Sequence, residues 1–390
     1  MSKKEVPSFF TRNRFPISVA TLMGIIVGAG ILGIPYVIAK AGYLYGFLIL
    51  LIIGLAYIFL NLTYGEIVLR TKRLHQLPGY AERYLGKVGK TIATIAMPLA
   101  VYGALTAYLI GVGEAAFAIF RWGAPLLYTI IFFLISAVIV ICGIKAMGKA
   151  ELILIPFLVI VVLIIGIFSL NRLDYSSLSA WDLRYSFLPY GILVFAYMGF
   201  AGIPEVREVL GLETRKMKKV IIVSSIIPIV LYAIFAFIVI GIVGLDNFEI
   251  LQPNERIATV ALSLYAHPLL GILANVLAIL AMFTSFLTNA IALKGVYHYD
   301  YRLSPVSSLF LTLIIPFLIA VFGLTTFLAV LGFTGAVSGG LEGLLVILMY
   351  WRARRLGDRK PEYTLGKMHV LGSIFMAMFL LGIVYAFWSL

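Results

Sequence analysis

The chain has 390 residues, 62% of them hydrophobic and 12% charged, with 30 Lys and Arg against 17 Asp and Glu for a formal net charge of +13. Composition this apolar excludes a soluble domain with one anchor and describes an integral membrane protein. The single cysteine, Cys142, excludes a disulfide framework and a cysteine metal site.

Residues 1–14 form a basic tail carrying Lys3, Lys4, Arg12 and Arg14. The run from Phe15 to Ala39 then holds 25 residues without a charge. That exceeds the roughly 20 needed to cross a bilayer core and is too long for a signal-peptide core, so it is expected to be the first span. Its centre, Val27-Gly28-Ala29-Gly30-Ile31-Leu32-Gly33-Ile34-Pro35, carries three glycines within six residues and then a proline. Pro35 cannot donate to the carbonyl of Ile31, and the glycines shield the backbone poorly. Unpaired backbone at membrane depth must face protein, water or a ligand, so a discontinuous helix beside a binding site is expected here. The alternative is that small residues such as Gly24 and Gly28 only let helices approach closely.

Spans 42–69 and 91–120 follow, separated by a basic segment with a short surface helix near Tyr80 to Tyr84; the second of these spans contains Tyr102, Tyr108 and Glu114. Spans 125–144 and 151–170 come next. A shift of 169 residues then places Gly30, Gly33, Ile34 and Pro35 on Gly199, Gly202, Ile203 and Pro204, inside a second charge-free run from Tyr185 to Pro204. Matching broken helices in two halves mark transporters built from inverted repeats, whose substrate site lies near the midplane where the breaks meet.

The remaining spans are 187–210, 219–244, 268–293, 305–323, 325–350 and 368–389, which makes eleven. In the eighth, Ala281, Thr284, Ser285 and Thr288 share one helix face. Those hydroxyls either coordinate an ion or bond back to carbonyls of their own helix. The tenth contains Phe333 and Glu342; a carboxylate there would cost about 2.5–3.5 kcal/mol against lipid, so it must face protein, a partner or water.

With the N-terminus inside, only Lys40, Arg121, Arg172, Arg184 and Arg256 of the 30 cations fall outside. This asymmetry orients a multi-pass protein of the cell membrane, N-terminus cytoplasmic and C-terminus extracytoplasmic. It also accounts for the basicity through contact with the lipid bilayer, without nucleic acid. The four histidines, His75, His267, His298 and His369, lack metal-ligand spacing and argue against an enzyme.

The Gly28-Ala29-Gly30-Ile31-Leu32 run with Gly33-Ile34-Pro35 is similar to the first helix of the amino acid/auxin permease group, and Phe283-Thr284-Ser285-Phe286-Leu287 is similar to the aromatic and hydroxy amino acid permeases. The chain therefore resembles the amino acid-polyamine-organocation superfamily. That resemblance implies an all-α membrane fold of the leucine-transporter type. Two inverted five-helix repeats, 15–170 and 187–350, would have their first and sixth helices broken, and an additional eleventh helix would lie at 368–389. It implies an amino acid substrate whose carboxylate meets the N–H groups of Ala29, Gly30, Ile31 and Leu32. The amine would meet the carbonyls of Phe195, Ala196 and Met198, and Tyr102, Tyr108, Tyr197, Phe283 and Phe333 would select a neutral hydrophobic or aromatic side chain. It implies a sodium site from the carbonyls of Gly24 and Val27 with Ala281, Thr284 and Ser285; neutral oxygens suit a weakly held monovalent ion. Proton-coupled relatives place a lysine in the fifth helix, whereas Pro156 to Val159 are apolar.

The expected function is thus sodium-coupled symport of an amino acid by alternating access, with no covalent chemistry and no cofactor beyond the transported ion. Proton coupling through Glu114 or Glu342 is the alternative, followed by a channel or solute-sensing receptor of the same fold. An inner gate would pair Arg12 or Arg14 with Asp300.

Overall fold

The computed structural model describes residues 13–142, 147–169 and 183–388, and contains no strand among them. The first span is broken, as expected, into α1 (Arg14–Ile26) and α2 (Gly30–Ala41), bent by 53° across three residues. Then come α3 (Tyr43–Arg70), α4 (Leu77–Phe120), α5 (Pro125–Cys142) and α6 (Met147–Ser169). A second interrupted helix, α7 (Leu188–Tyr197) and α8 (Gly202–Leu210), leads into α9 (Met217–Val243). The short α10 (Leu245–Ile250) and α11 (Ala258–Tyr265) precede α12 (Pro268–Gly295) and α13 (Pro305–Val321). Last are α14 (Phe327–Thr334), a wide π turn over Gly335–Gly339, α15 (Gly340–Leu356) and α16 (His369–Trp388).

Among the described residues seven helical stretches, eight with the bent pair counted as one span, are long and apolar enough to cross a bilayer; one of the seven, Leu188–Val243, runs through two of the expected spans, and Pro156–Ser169 and Pro305–Val321 are shorter apolar helices. The lipid-facing surface is written in the helical period. On α3, Leu44, Leu48, Ile52, Leu55 and Phe59 are exposed at steps of three and four, while Ile53, Tyr57, Leu60 and Tyr64 are buried between them. With hydrocarbon rather than water outside, such a stripe needs no cover.

The expected surface helix near Tyr80 is the first part of α4, set off by a kink at Gly86, whose φ of 75° lies in a region side chains disfavour. It is not a solvent helix on both sides, because Tyr80 and Tyr84 are fully buried and Tyr84 shares a 2.7 Å hydrogen bond with Thr71 Oγ1. The segment from Asp246 to His267 is likewise more than an external loop: Ala258, Ala261 and Leu262 of α11 are buried, and α11 packs on α12 and α9.

Two arginines hold the bases of the broken helices. Arg14 donates to the Leu210 carbonyl at 2.9 Å, capping the end of α8. From α8, Arg207 donates to the carbonyls of Val68, Thr71 and Lys72 at 2.6, 2.7 and 2.9 Å, where a cation at a helix C-terminus is favoured. Arg14 is therefore committed to α8 rather than to the gate expected with Asp300; Arg12 and the Asp300 side chain lie outside the described residues.

Candidate substrate and ion site

The two breaks touch. A Cβ built on Gly30 would lie 2.6 Å from both Cα and Cβ of Ala196, so only glycine lets α2 reach the backbone of α7 at this level. The breaks are not in strict register under the 169-residue shift: α2 starts at Gly30, whereas α8 starts at Gly202, the counterpart of Gly33. In the first break, Val27 has φ −88° and ψ 85°, and Leu32 N–H returns to the Ala29 carbonyl at 3.0 Å. In the second, Met198 is extended (ψ 118°), and its N–H reaches the carbonyls of Val194 and Phe195 at 3.1 and 3.4 Å. The first turn of α2 leaves N–H groups without intrahelical partners, with the positive end of a helix dipole behind them.

A side chain that sequence reasoning did not single out ties the breaks together. Tyr232 of α9, fully buried, directs its hydroxyl at the carbonyls of Ile26 and Ala196, both at 3.0 Å. Ile26 ends α1 and Ala196 lies one residue before the end of α7, so one phenol serves backbone oxygens on both broken helices. The available signal was a tyrosine in the middle of an otherwise apolar span, since a buried tyrosine in such a setting usually finds a partner.

Beside the breaks lies a cavity of about 980 Å³, counting its open mouth. Gly24 and Gly28 of α1 and its break, Val101, Ala104 and Tyr108 of α4, Phe195 and Met198 of the second break, and Ser285 and Asn289 of α12 line it. Two carboxylates face it as well, Glu205 of α8 and Glu342 of α15. Glu342 is 5% exposed, and no hydrogen bond or ion pair engages it among the described residues. Glu205 was also missed; its signal was an acid directly after Gly202-Ile203-Pro204.

Of the expected selectivity residues, Tyr108 stands in this cavity, with its hydroxyl near Gly28 and hydrogen-bonded with Ser285. The others point elsewhere. Tyr102 shares a 2.5 Å hydrogen bond with Tyr297 and donates to the Leu311 carbonyl, tying α4 to α13. Tyr197 turns its ring toward Gly54 and Tyr57 of α3. Phe283 meets Phe132 of α5 edge-on. Phe333 lines a separate cavity of about 910 Å³ with Tyr36, Arg256 and Tyr385. A periodic pattern says which residues share a face but not which neighbour that face meets, and of the five aromatics Tyr108 is the one that lines this cavity.

The expected sodium ligands are gathered only in part. Gly24 and Ser285 share the large cavity, while Ala281 lines an adjoining apolar one with Gly28 and Leu158. Thr284 Oγ1 donates to the Ala281 carbonyl at 3.1 Å and Thr288 Oγ1 to the Thr284 carbonyl at 3.0 Å, the back-bonding alternative. Val27 is buried, and its N–H goes to Met23. Of the two proton candidates, Glu114 accepts from Asn254 at 3.1 Å, and Asn254 Oδ1 in turn accepts the Phe327 N–H at the start of α14. That makes Glu114 part of a helix cap, whereas Glu342 has the cavity.

Residues 11–389 match the tryptophan/tyrosine permease family model. The chain belongs to the tryptophan/tyrosine permease family. This permease is 24% identical over 330 residues to a glutamine transporter of Aliivibrio fischeri, covering 82% of this chain and 84% of the relative. It is 24% and 25% identical to the tyrosine-specific transport systems 1 and 2 of Haemophilus influenzae, covering 88% and 86% of this chain and 89% and 87% of the relatives. Among solved structures, the fold is that of MhsT, crystallised with L-phenylalanine, with a TM-score of 0.68, 16% identity, and 96% and 98% of the two chains covered. The permease is thus an all-α membrane protein of the leucine-transporter type, and amino acid transport rather than enzymatic catalysis is its family's activity.

Proposed function

We propose that this permease moves a neutral amino acid across the bilayer by alternating access, coupled to sodium. The contact of the two helix breaks at Gly30 and Ala196, at the edge of the 980 Å³ cavity, carries the reading. It brings unpaired N–H groups and a helix dipole to one spot, which suits the carboxylate of a zwitterion. The relatives are named for glutamine and tyrosine and the structural neighbour holds phenylalanine. All three are neutral amino acids that differ only in the side chain, as expected when the main-chain groups do the anchoring. The Ala196 carbonyl is engaged by Tyr232 at 3.0 Å and the Phe195 carbonyl only by the long 3.4 Å bond from Met198 N–H, which leaves Met198 and then Phe195 as the better acceptors for the amine. In this reading the chain crosses eleven times, with repeats at 15–170 and 187–350, the eleventh helix outside them and the N-terminus cytoplasmic.

Sodium rests on Ser285 and Gly24 sharing the cavity, with an all-neutral oxygen set. One observation favours protons instead: Glu342 faces the cavity without a partner. Purified permease in liposomes, given a sodium gradient alone or a proton gradient alone, separates the two. Sodium-driven accumulation that survives Glu342→Gln is expected. Accumulation driven only by protons, abolished by Glu342→Gln while exchange persists, would replace sodium with protons. No saturable uptake of any of the twenty amino acids under either gradient would end the transport proposal itself.

A further inference from the structure

At the end of the bundle where α15 finishes and α16 begins there is a second large hollow, about 1240 Å³ with its mouth. It is remote from the transport cavity, and the two share no lining residue. Arg352, Arg354 and Arg355 come to it from the C-terminal part of α15, the latter two from its last turn, Lys367 from the connecting loop, and His369 from the first residue of α16, and no carboxylate lines it. Two of these cations are already used, Arg352 by the Tyr84 carbonyl at 3.2 Å and Arg354 by the Gly366 carbonyl. Arg355 and Lys367 have no hydrogen-bond or ion-pair partner among the described residues.

A buried donor lies in the wall beside these cations. Trp351 also lines the hollow, and its indole Nε1 is buried with no acceptor. The ring lies 5.6 Å from the His369 imidazole, and its Cε2, the atom bonded to Nε1, is 3.4 Å from where a Cβ on Gly372 would be. The orphan donor is therefore beside the first turn of α16. A buried N–H without an acceptor is destabilising unless something supplies one. The Tyr350 hydroxyl, which also lines the hollow, is committed to Glu66 and the Gly366 carbonyl, and the open polar groups are Arg355 and Lys367, so what fits is an anion with several acceptor oxygens.

We infer that this hollow is a binding site for the phosphate headgroup of an anionic phospholipid. The lipid source follows from the remaining walls. Leu85, Leu348 and Met368 make one side apolar, and α16 continues from it with Val370 and Ile374 exposed at 78% and 58%. A soluble phosphate would gain nothing from these, whereas acyl chains leaving a seated headgroup would lie along α16. Basic pockets between membrane helices recognise lipid headgroups in this way. The bound headgroup would bridge α15 to α16, the helix that stands outside the proposed repeats.

The test uses the full-length permease in detergent, analysed by native mass spectrometry with equimolar phosphatidylglycerol and phosphatidylcholine of matched chains. Wild type retains phosphatidylglycerol in preference. Arg355→Gln combined with Lys367→Gln lowers that affinity about tenfold and leaves phosphatidylcholine binding unchanged, and Trp351→Phe, which keeps the packing ring, lowers it a few-fold. The exposed Lys90→Gln has no effect. Equal retention of the two lipids by wild type, or undiminished phosphatidylglycerol binding by the double variant, overturns the assignment. The wild-type comparison needs no variant to fold, and Arg355 and Lys367 are both exposed. Inorganic phosphate in the millimolar range, added instead of lipid, leaves the melting temperature unchanged if the ligand is a lipid. An upward shift equal to that produced by phosphatidylglycerol would assign the site to a soluble phosphate and overturn the lipid.

Discussion

The two halves of the broken-helix pair use glycine for opposite ends. Where α2, α7 and α14 meet, glycine brings backbone onto backbone: a Cβ on Gly191 would sit 2.1 Å from the Gly332 carbonyl oxygen, and one on Gly30 would sit 2.6 Å from Ala196 Cα. Where α1 and α8 meet, Gly199 and Gly202 face the ends of Leu22, Ile25 and Ile26 side chains at about 3 Å. At Gly30 and Gly191 the first half is a seam of backbone on backbone, and only Gly33 within it meets side-chain tips, those of Leu328 and Ile192 at 3.0 and 3.2 Å. The second borders the cavity, and its contacts are with flexible tips that can move. A transporter that opens to one side at a time needs this kind of difference: one face whose packing is all-or-none and one whose packing is adjustable.

Substitutions that break the seam should have the largest effect. Gly30→Val drives a branched side chain into the Ala196 backbone; a loss on the order of 3 kcal/mol is expected from overpacking alone, with substrate-dependent thermal stabilisation and uptake both gone. Retained uptake would mean that the two breaks do not meet in the working protein. Next comes Tyr232→Phe, which keeps the ring but removes the donor serving Ile26 and Ala196. The Ala196 carbonyl would lose this donor, and the Ile26 carbonyl would keep only the Gly28 N–H at 3.1 Å; a cost of about 1–3 kcal/mol is expected, read as a lower melting temperature together with impaired uptake. On the adjustable side, Gly202→Ala meets only the ends of Ile25 and Leu22. A change of about 1 kcal/mol is expected, and uptake should persist; a collapse as deep as that of Gly30→Val would erase the contrast. Smallest of all, Glu114→Gln preserves an oxygen to accept from Asn254, so stability should change by less than about 0.5 kcal/mol and gradient-driven uptake should be unaltered. A variant that still binds substrate but cannot accumulate it would return Glu114 to the list of coupling groups.

Much of the fold was legible because membrane helices announce themselves by apolar length, and the breaks by Gly30, Gly33 and Pro35 recurring at Gly199, Gly202 and Pro204. The meeting of the two breaks was legible in part: Gly30 was expected there from glycine and proline chemistry that is local to the chain, and Ala196 from the resemblance to known permeases. The contacts of Tyr102, Tyr197 and Phe283 with Tyr297, Tyr57 and Phe132 were not legible, because they are set by which helices become neighbours, a long-range outcome. The hydroxyls of Thr284 and Thr288 were ambiguous by nature, since the same residues can serve an ion or their own helix, and they bond to their own helix. Tyr232 shows the deepest limit: its two acceptors lie 206 and 36 residues away, and no spacing rule connects them.

That phenol carries one hydrogen and faces two claimants. At any instant the stronger bond goes to either Ile26 or Ala196, so a displacement that carries one carbonyl away hands the proton to the other. The discontinuities in the two halves are thereby made rivals for a shared resource, and neither can shift without altering the hold on its counterpart. Disturbances introduced separately at the two breaks should consequently fail to add, and the shortfall should vanish once position 232 is phenylalanine.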